Sequence, residues 1–241
     1  MQDVEKRVVE TTLGDVWFWG SKAAFSGDST VILAIHGAFA DQVGRFFDLE
    51  TVLPDIAVVS CCLPGHGCPE LVSCSVGVFA SAYAEAARTV FRRRRLLICG
   101  ESVGGLVALA MDVPGAKVLA LDPPIRTAEN SSMVSLIRKQ LLIYPQFEGF
   151  IWRILGIAAE RTEERDYRPL LSRASWIMIG EKGVVGEAER KLMLGSPHIR
   201  LMVIPDVGHV IPGNAPTQFI EVVRGMLNDE GPKAPVRARL P

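Results

Sequence analysis

The sequence predicts an α/β fold, with a mostly parallel central sheet and helices on both faces, in a single domain of residues 1–241. Strand-like and helix-like segments alternate along the chain, which is the pattern of parallel strands joined by helices. Most strand-like segments are short, unbroken apolar runs, as in strands that are buried on both faces. The 241 residues are 49% hydrophobic and 22% charged, a balance that supports one large core.

An antiparallel hairpin is predicted first, because strand-like segments flank the turn residues Leu13-Gly14-Asp15. The strands of the hairpin and the six that follow are predicted at 7–12, 16–20, 30–35, 56–62, 96–99, 117–121, 176–179 and 200–204. The helices between them are predicted near 41–53, 76–91, 103–113, 185–194 and 215–228. In such a sheet the ligand site lies beyond the carboxyl ends of the strands, so functional residues are expected there.

One segment, at about 125–172, interrupts the alternation, because it is helical and amphipathic and contains no strand pattern. A dense apolar patch runs from Phe147 to Ile157. The segment either adds packing to the core or forms a short helical lid that covers the site with apolar surface, and its place after the sixth central strand favours the lid. The Pro-rich polar tail at about 229–241 is predicted to be a loose end.

Charge and cysteine usage restrict the partners and the compartment. The net charge of −1 argues against a nucleic-acid partner. No apolar signal core opens the chain, and no apolar run approaches the ~20 residues of a membrane span. The five cysteines are therefore expected to be reduced thiols of a cytoplasmic protein. Cys62, His66 and Cys68 have only loosely the spacing of metal ligands, so no metal site is predicted.

A Gly-x-Ser-x-Gly motif, Gly100-Glu101-Ser102-Val103-Gly104, stands between a predicted strand and a predicted helix. This context predicts a nucleophile elbow, a tight turn that exposes the serine hydroxyl at the edge of the sheet. The alternative is an ordinary glycine-rich turn. In an elbow, the backbone N–H of Val103 and a second N–H, from Ala38 after the first apolar strand, would face the oxyanion of the reaction.

His209 is the best candidate for the base that a serine nucleophile needs, because it follows the last predicted strand and reaches the same edge as Ser102. The other three histidines are given structural or surface roles. His36 is expected to be a hydrogen-bonded residue at a strand end, His66 to order a turn, and His198 to be exposed.

Taken together, these motifs resemble the α/β-hydrolase superfamily, in its compact lidded form, over roughly residues 30–227. The resemblance rests on His36-Gly37, on the Leu63-Pro64-Gly65-His66-Gly67 turn, on the serine elbow and on Gly208-His209, in that order along the chain. It implies the α/β-hydrolase fold and the serine, acid, histidine order of the family. Glu101 within the elbow resembles carboxylesterases, although the His-Gly-Gly-Gly loop of those enzymes is missing.

The acid of the triad is the one departure from the family pattern. The family usually places it after the seventh strand, where this chain has Gly180-Glu181-Lys182-Gly183, with glycine at the expected aspartate. Asp122, at the end of the sixth strand, could orient His209, as in some family members. Glu181 could instead reach across with its longer side chain. In a third interpretation there is no acid, and the site is weak or inactive.

The resemblance and the site residues imply a serine hydrolase that acts on a carboxylic ester or thioester with an apolar part, without a metal or organic cofactor. Phe39, Phe147 and Trp152 are expected to line the substrate pocket. Two alternatives stay open. The chain could be a non-catalytic, receptor-like family member that binds a ligand, or it could hydrolyse or cleave carbon–carbon bonds on the same fold.

Overall fold

The computed structural model describes residues 4–40, 46, 48–127, 132–173 and 175–228. Within them one eight-stranded sheet has the order β1-β2-β4-β3-β5-β6-β7-β8. The strands are β1 Val4–Thr11, β2 Gly14–Ser21, β3 Thr30–Ile35, β4 Ile56–Cys61, β5 Leu96–Glu101, β6 Lys117–Leu121, β7 Ser175–Gly180 and β8 Ile199–Ile204. The predicted fold class and every predicted strand are thereby confirmed.

The hairpin is antiparallel, as predicted, and its register runs from Val4 opposite Ser21 to Thr11 opposite Gly14. Gly14 has a φ of 121°, a conformation that glycine adopts without the strain of a side chain. β2 then pairs antiparallel with β4, whereas all pairs from β4 through β3 to β8 are parallel. The hairpin therefore extends one edge of a parallel sheet.

Helices cover both faces of the sheet. β3 shows why, since Val31, Leu33 and Ile35 belong to one buried cluster and Ile32 and Ala34 to the other, as the alternation of side chains in a strand requires. The helices are α1 Lys22–Ser26, α2 Leu49–Val52, α3 Val76–Val90, α4 Val103–Ala110, α5 Ser132–Ile143, α6 Glu148–Leu155, α7 Glu187–Gly195, α8 Ile211–Asn214 and α9 Pro216–Leu227.

The short helices α1 and α8 were not predicted, because segments of five and four residues are too short to show a helical period. The helix predicted near 41–53 is described only in its second half, since residues 41–45 and 47 lie outside the described residues. No helix in the described ranges combines the length and the apolar character that crossing a membrane requires.

The segment after β6 contains α5, α6 and two 3₁₀ turns, Pro145–Phe147 and Arg168–Ser172. Its described residues form two isolated bridges but no strand of the sheet. Buried residues of α5 and α6, such as Ile137 and Ile154, join the same apolar cluster as α3 and α4. The predicted lid boundaries of 125–172 and the single-domain division stay predictions, and the predicted tail at 229–241 lies outside the described residues.

Candidate active site

Ser102 occupies the turn between β5 and α4 with φ 55° and ψ −119°, a conformation that non-glycine residues rarely adopt. Two glycines make the turn possible. A β-carbon on Gly100 would overlap the carbonyl oxygen of Gly104, and one on Gly104 would overlap the carbonyl oxygen of Ile35. The Ser102 backbone N–H donates to the carbonyl of Leu121 at 2.8 Å. The motif is thus a strained strand–turn–helix connection that is fixed to its neighbouring strands.

His209 and Asp122 form a pair at the same edge of the sheet. The Nδ1 atom of His209 lies 2.6 Å from Oδ2 of Asp122, and the side chains are 23% and 0% exposed. The backbone N–H of Val184 donates to the same Oδ2 at 2.8 Å. Because a carboxylate accepts hydrogen bonds, Nδ1 carries the proton in this pair and Nε2 is left as an acceptor. Asp122 is therefore placed to fix the tautomer of His209.

The backbone of Asp122 is held as firmly as its side chain. Its φ of 46° lies in the left-handed region, and its N–H donates to the carbonyl of Met178 on the neighbouring strand β7 at 2.7 Å. Such a conformation persists only where the surrounding contacts over-determine it. The positions of the carboxylate and of the chain after β6 are thus coupled.

Glu181, the alternative acid, lies elsewhere. Its Oε2 accepts a hydrogen bond from the backbone N–H of Asp206 at 3.0 Å. The Asp206 residue itself has a φ of 59°, and it forms a turn between β8 and His209. The structure therefore brings Asp122, and not Glu181, into contact with the His209 ring.

The two predicted oxyanion donors belong to segments that adjoin Ser102. Val103 is the first residue of α4, so its N–H has no acceptor within the helix. Ala38 follows Gly37, and a β-carbon on Gly37 would lie 3.2 Å from Cβ of Ser102. The turn that carries Ala38 thus packs directly on the serine.

The remaining histidines make the contacts of structural or surface residues. Nε2 of His36 accepts a hydrogen bond from the backbone N–H of Leu63 at 2.9 Å, and its Nδ1 donates to the carbonyl of Gly37 at 2.7 Å. His66 is buried, and its ring stacks on Phe147 with the ring centroids 4.5 Å apart. Burial lowers the pKa of His66, which favours its neutral form. His198 is exposed.

A cavity of about 380 Å³ opens beside Ser102 and His209. Its wall is largely apolar and comes from the turn that carries Ala38, from the Ser102 turn, from α5 and α6 and from the loops after β7 and β8. The lining residues are Gly37, Ala38, Phe39, Ala40, Glu101, Ser102, Met133, Leu136, Ile137, Gln140, Leu155, Val184, His209, Val210 and Asn214.

Only one of the three expected pocket residues, Phe39, lines this cavity. Phe147 contacts the Phe39 ring edge-on, with the ring centroids 5.8 Å apart, and lines a second cavity of about 200 Å³. Trp152 lines neither cavity, and the guanidinium of Arg161 lies over its ring, 4.1 Å from the ring centroid. The reason is helical geometry, because α6 buries Ile151, Ile154 and Leu155 and so turns residue 152 toward the outside.

The helix α5 lines the cavity and lies in the segment predicted as a lid, but none of its residues is among the predicted pocket residues. Met133, Leu136 and Ile137 recur at the spacing of one helical face, and this signal was available. The denser apolar patch of α6 drew the prediction instead, although that patch packs mainly into the core.

The cysteines take no part in this cavity. Burial is the main cause that raises the pKa of the Cys61 and Cys99 thiols, so they stay protonated. All five cysteines are free. Within the part of the chain that the structure describes, no group of three or more His, Cys, Asp or Glu side chains is arranged to hold a metal ion.

Comparison with known proteins agrees with this fold. A family model described as "Alpha/beta hydrolase family" matches residues 31–222. No curated protein matches the sequence. An esterase from Thermogutta terrifontis has a similar structure, with a TM-score of 0.66, 18% identity, and coverage of 94% of this chain and 99% of the esterase.

Two further solved structures are similar. The N-acyl homoserine lactonase AidH, complexed with N-hexanoyl homoserine, has a TM-score of 0.68 and 17% identity, with 99% of this chain and 98% of the lactonase covered. The naproxen esterase from Bacillus subtilis has a TM-score of 0.66 and 14% identity, with 94% of this chain and 92% of the esterase covered. At these identities the likeness establishes the fold.

Proposed function

Because the chain belongs to the alpha/beta hydrolase family, we propose that it is a serine hydrolase that cleaves a carboxylic ester or thioester with an apolar part. The observation that carries the proposal is the pairing of His209 with the buried carboxylate of Asp122 beside the cavity that Ser102 lines. A strained serine, a histidine with a fixed tautomer and a buried acid are the groups that acyl transfer to serine requires.

In the proposed reaction, Ser102 Oγ attacks the carbonyl carbon of the substrate while Nε2 of His209 takes the hydroxyl proton. Asp122 holds the imidazole and stabilises the imidazolium that forms. The proton then goes to the leaving alcohol or thiol, and an acyl-enzyme remains on Ser102. Water, activated by the same histidine, hydrolyses that acyl-enzyme. Every step uses a group of this chain.

The N–H groups of Ala38 and Val103 bind the oxyanion of the tetrahedral intermediates. Each such donor lowers the transition-state free energy by about 3 kcal/mol. Val103 stands at the N-terminus of α4, where the helix dipole adds to the effect.

The cavity supports an uncharged, apolar substrate. Met133, Leu136 and Ile137 supply aliphatic surface, and the described lining residues include no lysine or arginine that would pair with an anionic acyl group. The esterases and the lactonase of similar structure act on carboxylic esters, cyclic or open, by their names. The free thiols support a reducing, cytoplasmic location.

The non-catalytic alternative rested on the glycine at the usual acid position. The Asp122 carboxylate lies where a side chain at 183 would lie. The glycine at 183 is therefore not an argument for an inactive site. The second alternative, hydrolysis or cleavage of a carbon–carbon bond on the same fold, stays open, and its substrate would not be an ester.

The proposal is tested with p-nitrophenyl butyrate. The wild-type protein should release p-nitrophenol, and rapid quenching followed by intact-mass measurement should find a butyryl group on Ser102. Ser102→Ala should fold normally and show neither. Turnover that survives in Ser102→Ala would refute the assignment of the nucleophile.

A further inference from the structure

Gly183 faces the carboxylate of Asp122 across the end of the sheet. An ideal β-carbon at position 183 would lie 2.6 Å from Oδ1 and 2.7 Å from Cγ of Asp122, and it would overlap Oδ2. Contacts of real β-carbons below 3.0 Å essentially do not occur. Any side chain at 183 is therefore incompatible with the present position of the Asp122 carboxylate.

Space, and not backbone conformation, is what requires glycine at this position. The φ of Gly183 lies outside the positive region in which other residues are strained. Its backbone N–H donates to the carbonyl of Gly180 at 3.0 Å, as a residue with a side chain could also do. An alanine would thus fit the backbone of the turn and fail only against Asp122.

The carboxylate has no room to yield. Asp122 is completely buried, its backbone is fixed by the hydrogen bond to Met178, and its Oδ2 is shared between Val184 N–H and His209 Nδ1. A displacement that relieved an added methyl group at 183 would break one of these contacts. The contact most exposed to such a displacement is the one to His209, since that ring is the only partly exposed partner.

We propose that Gly183 is a positioning residue for the triad. The missing side chain at 183 and the carboxylate at 122 form one steric unit, so the present position of the Asp122 carboxylate requires a residue without a side chain at 183. The inference rests on the proposed function, in which Asp122 orients His209. It also accounts for the glycine at the position where the family usually has its acid.

A double-mutant cycle tests the steric unit. Gly183→Ala, Asp122→Ala and the double variant are compared with the wild type for kcat, KM and Tm, with p-nitrophenyl butyrate as substrate. Gly183→Ala should lower Tm and lower kcat by about 10²-fold, the cost of a misplacement of about 1 Å, with KM nearly unchanged. In the Asp122→Ala background the same alanine should lower neither kcat nor Tm, because its clash partner is gone. Gly195→Ala, where an added β-carbon meets nothing within 4 Å, is the matched control.

Rescue separates positioning from simple packing. Asp122→Ala/Gly183→Asp, which moves the carboxylate to the position usual in the family, should have a kcat at least about tenfold higher than Asp122→Ala, a difference of about 1.4 kcal/mol in the activation free energy. Full activity in Gly183→Ala, or equal losses from Gly183→Ala in both backgrounds, would overturn the inference. If the wild type turned over no ester, the proposed function would fail, and the Tm values of the cycle alone would decide the steric unit.

Discussion

The replacement Asp122→Asn removes one charge from the candidate site with almost no change of shape. In the wild type, Oδ2 accepts hydrogen bonds from Val184 N–H and from His209 Nδ1, whereas Oδ1 is buried without a partner among the described residues. Because the Val184 N–H donates to the Oδ2 position, the oxygen of the asparagine side chain, and not its NH2 group, must occupy that position. That oxygen still accepts from Nδ1, so the tautomer of His209 is retained.

The activity lost in Asp122→Asn is then what the negative charge of Asp122 contributes by stabilising the imidazolium of His209. Two unit charges about 4 Å apart interact by about 4 kcal/mol at an effective dielectric constant of about 20. This energy corresponds to a fall of about 10³-fold in kcat. It is less than the fall of about 10⁴-fold in a known triad where the amide imposes the wrong tautomer.

The assay is the steady-state hydrolysis of p-nitrophenyl butyrate, with circular dichroism and Tm to verify the fold. Glu181→Gln is the matched control, because it neutralises a carboxylate at the same sheet edge that contacts Asp206 N–H instead of His209. The control should change kcat by less than about twofold, as for a substitution outside the site. An Asp122→Asn enzyme with nearly full activity, beside a Glu181→Gln enzyme that has lost it, would show that the acid follows β7.

Two further predictions concern Phe147 and the His66 ring that stacks on it. The Phe147 ring adjoins Phe39 of the cavity beside Ser102 and lines the second cavity. Phe147→Ala should therefore raise kcat/KM for p-nitrophenyl octanoate relative to the butyrate by about tenfold, the scale on which a pocket discriminates methylenes. Trp152→Ala, outside the cavity, is the control. Equal octanoate-to-butyrate ratios in both variants would show that Phe147 does not limit the length of the substrate. Burial lowers the pKa of His66, so its stability contribution is present above the unfolded pKa of about 6.5 and is lost as pH falls through the folded pKa. Tm should accordingly fall less between pH 7.5 and 5.5 in His66→Phe, which keeps a ring on Phe147, than in the wild type, and an identical fall would contradict this.

The sheet could be predicted from the sequence because its strands are apolar on both faces. Val31 to Ile35 alternate between two cores, so their sequence is an unbroken apolar run that a surface strand does not show. The positions of Ser102 and His209 at one edge followed from the same pattern, because the carboxyl ends of parallel strands meet there. The helices α1 and α8 escaped prediction because segments of five and four residues are too short to show a periodic pattern.

The choice of acid could not be made from the sequence, since it depends on distances between segments far apart in the chain. Asp122 and Glu181 both follow strands, and only the fold shows that one contacts His209 and the other Asp206. The role of Gly183 could not be predicted either, because the sequence does not show which group fills the space beside a glycine. Trp152 was assigned to the pocket on hydrophobicity alone, which does not say which side of α6 faces the cavity.

Covalent labelling tests whether Ser102 is an activated nucleophile. A fluorophosphonate probe reacts with a serine only where a base and an oxyanion site activate it, and intact-mass measurement with peptide mapping locates the adduct. We expect one adduct per chain, on Ser102, that is absent from Ser102→Ala and formed much more slowly in Asp122→Asn. An unlabelled wild-type protein, or an adduct that persists in Ser102→Ala, would contradict it.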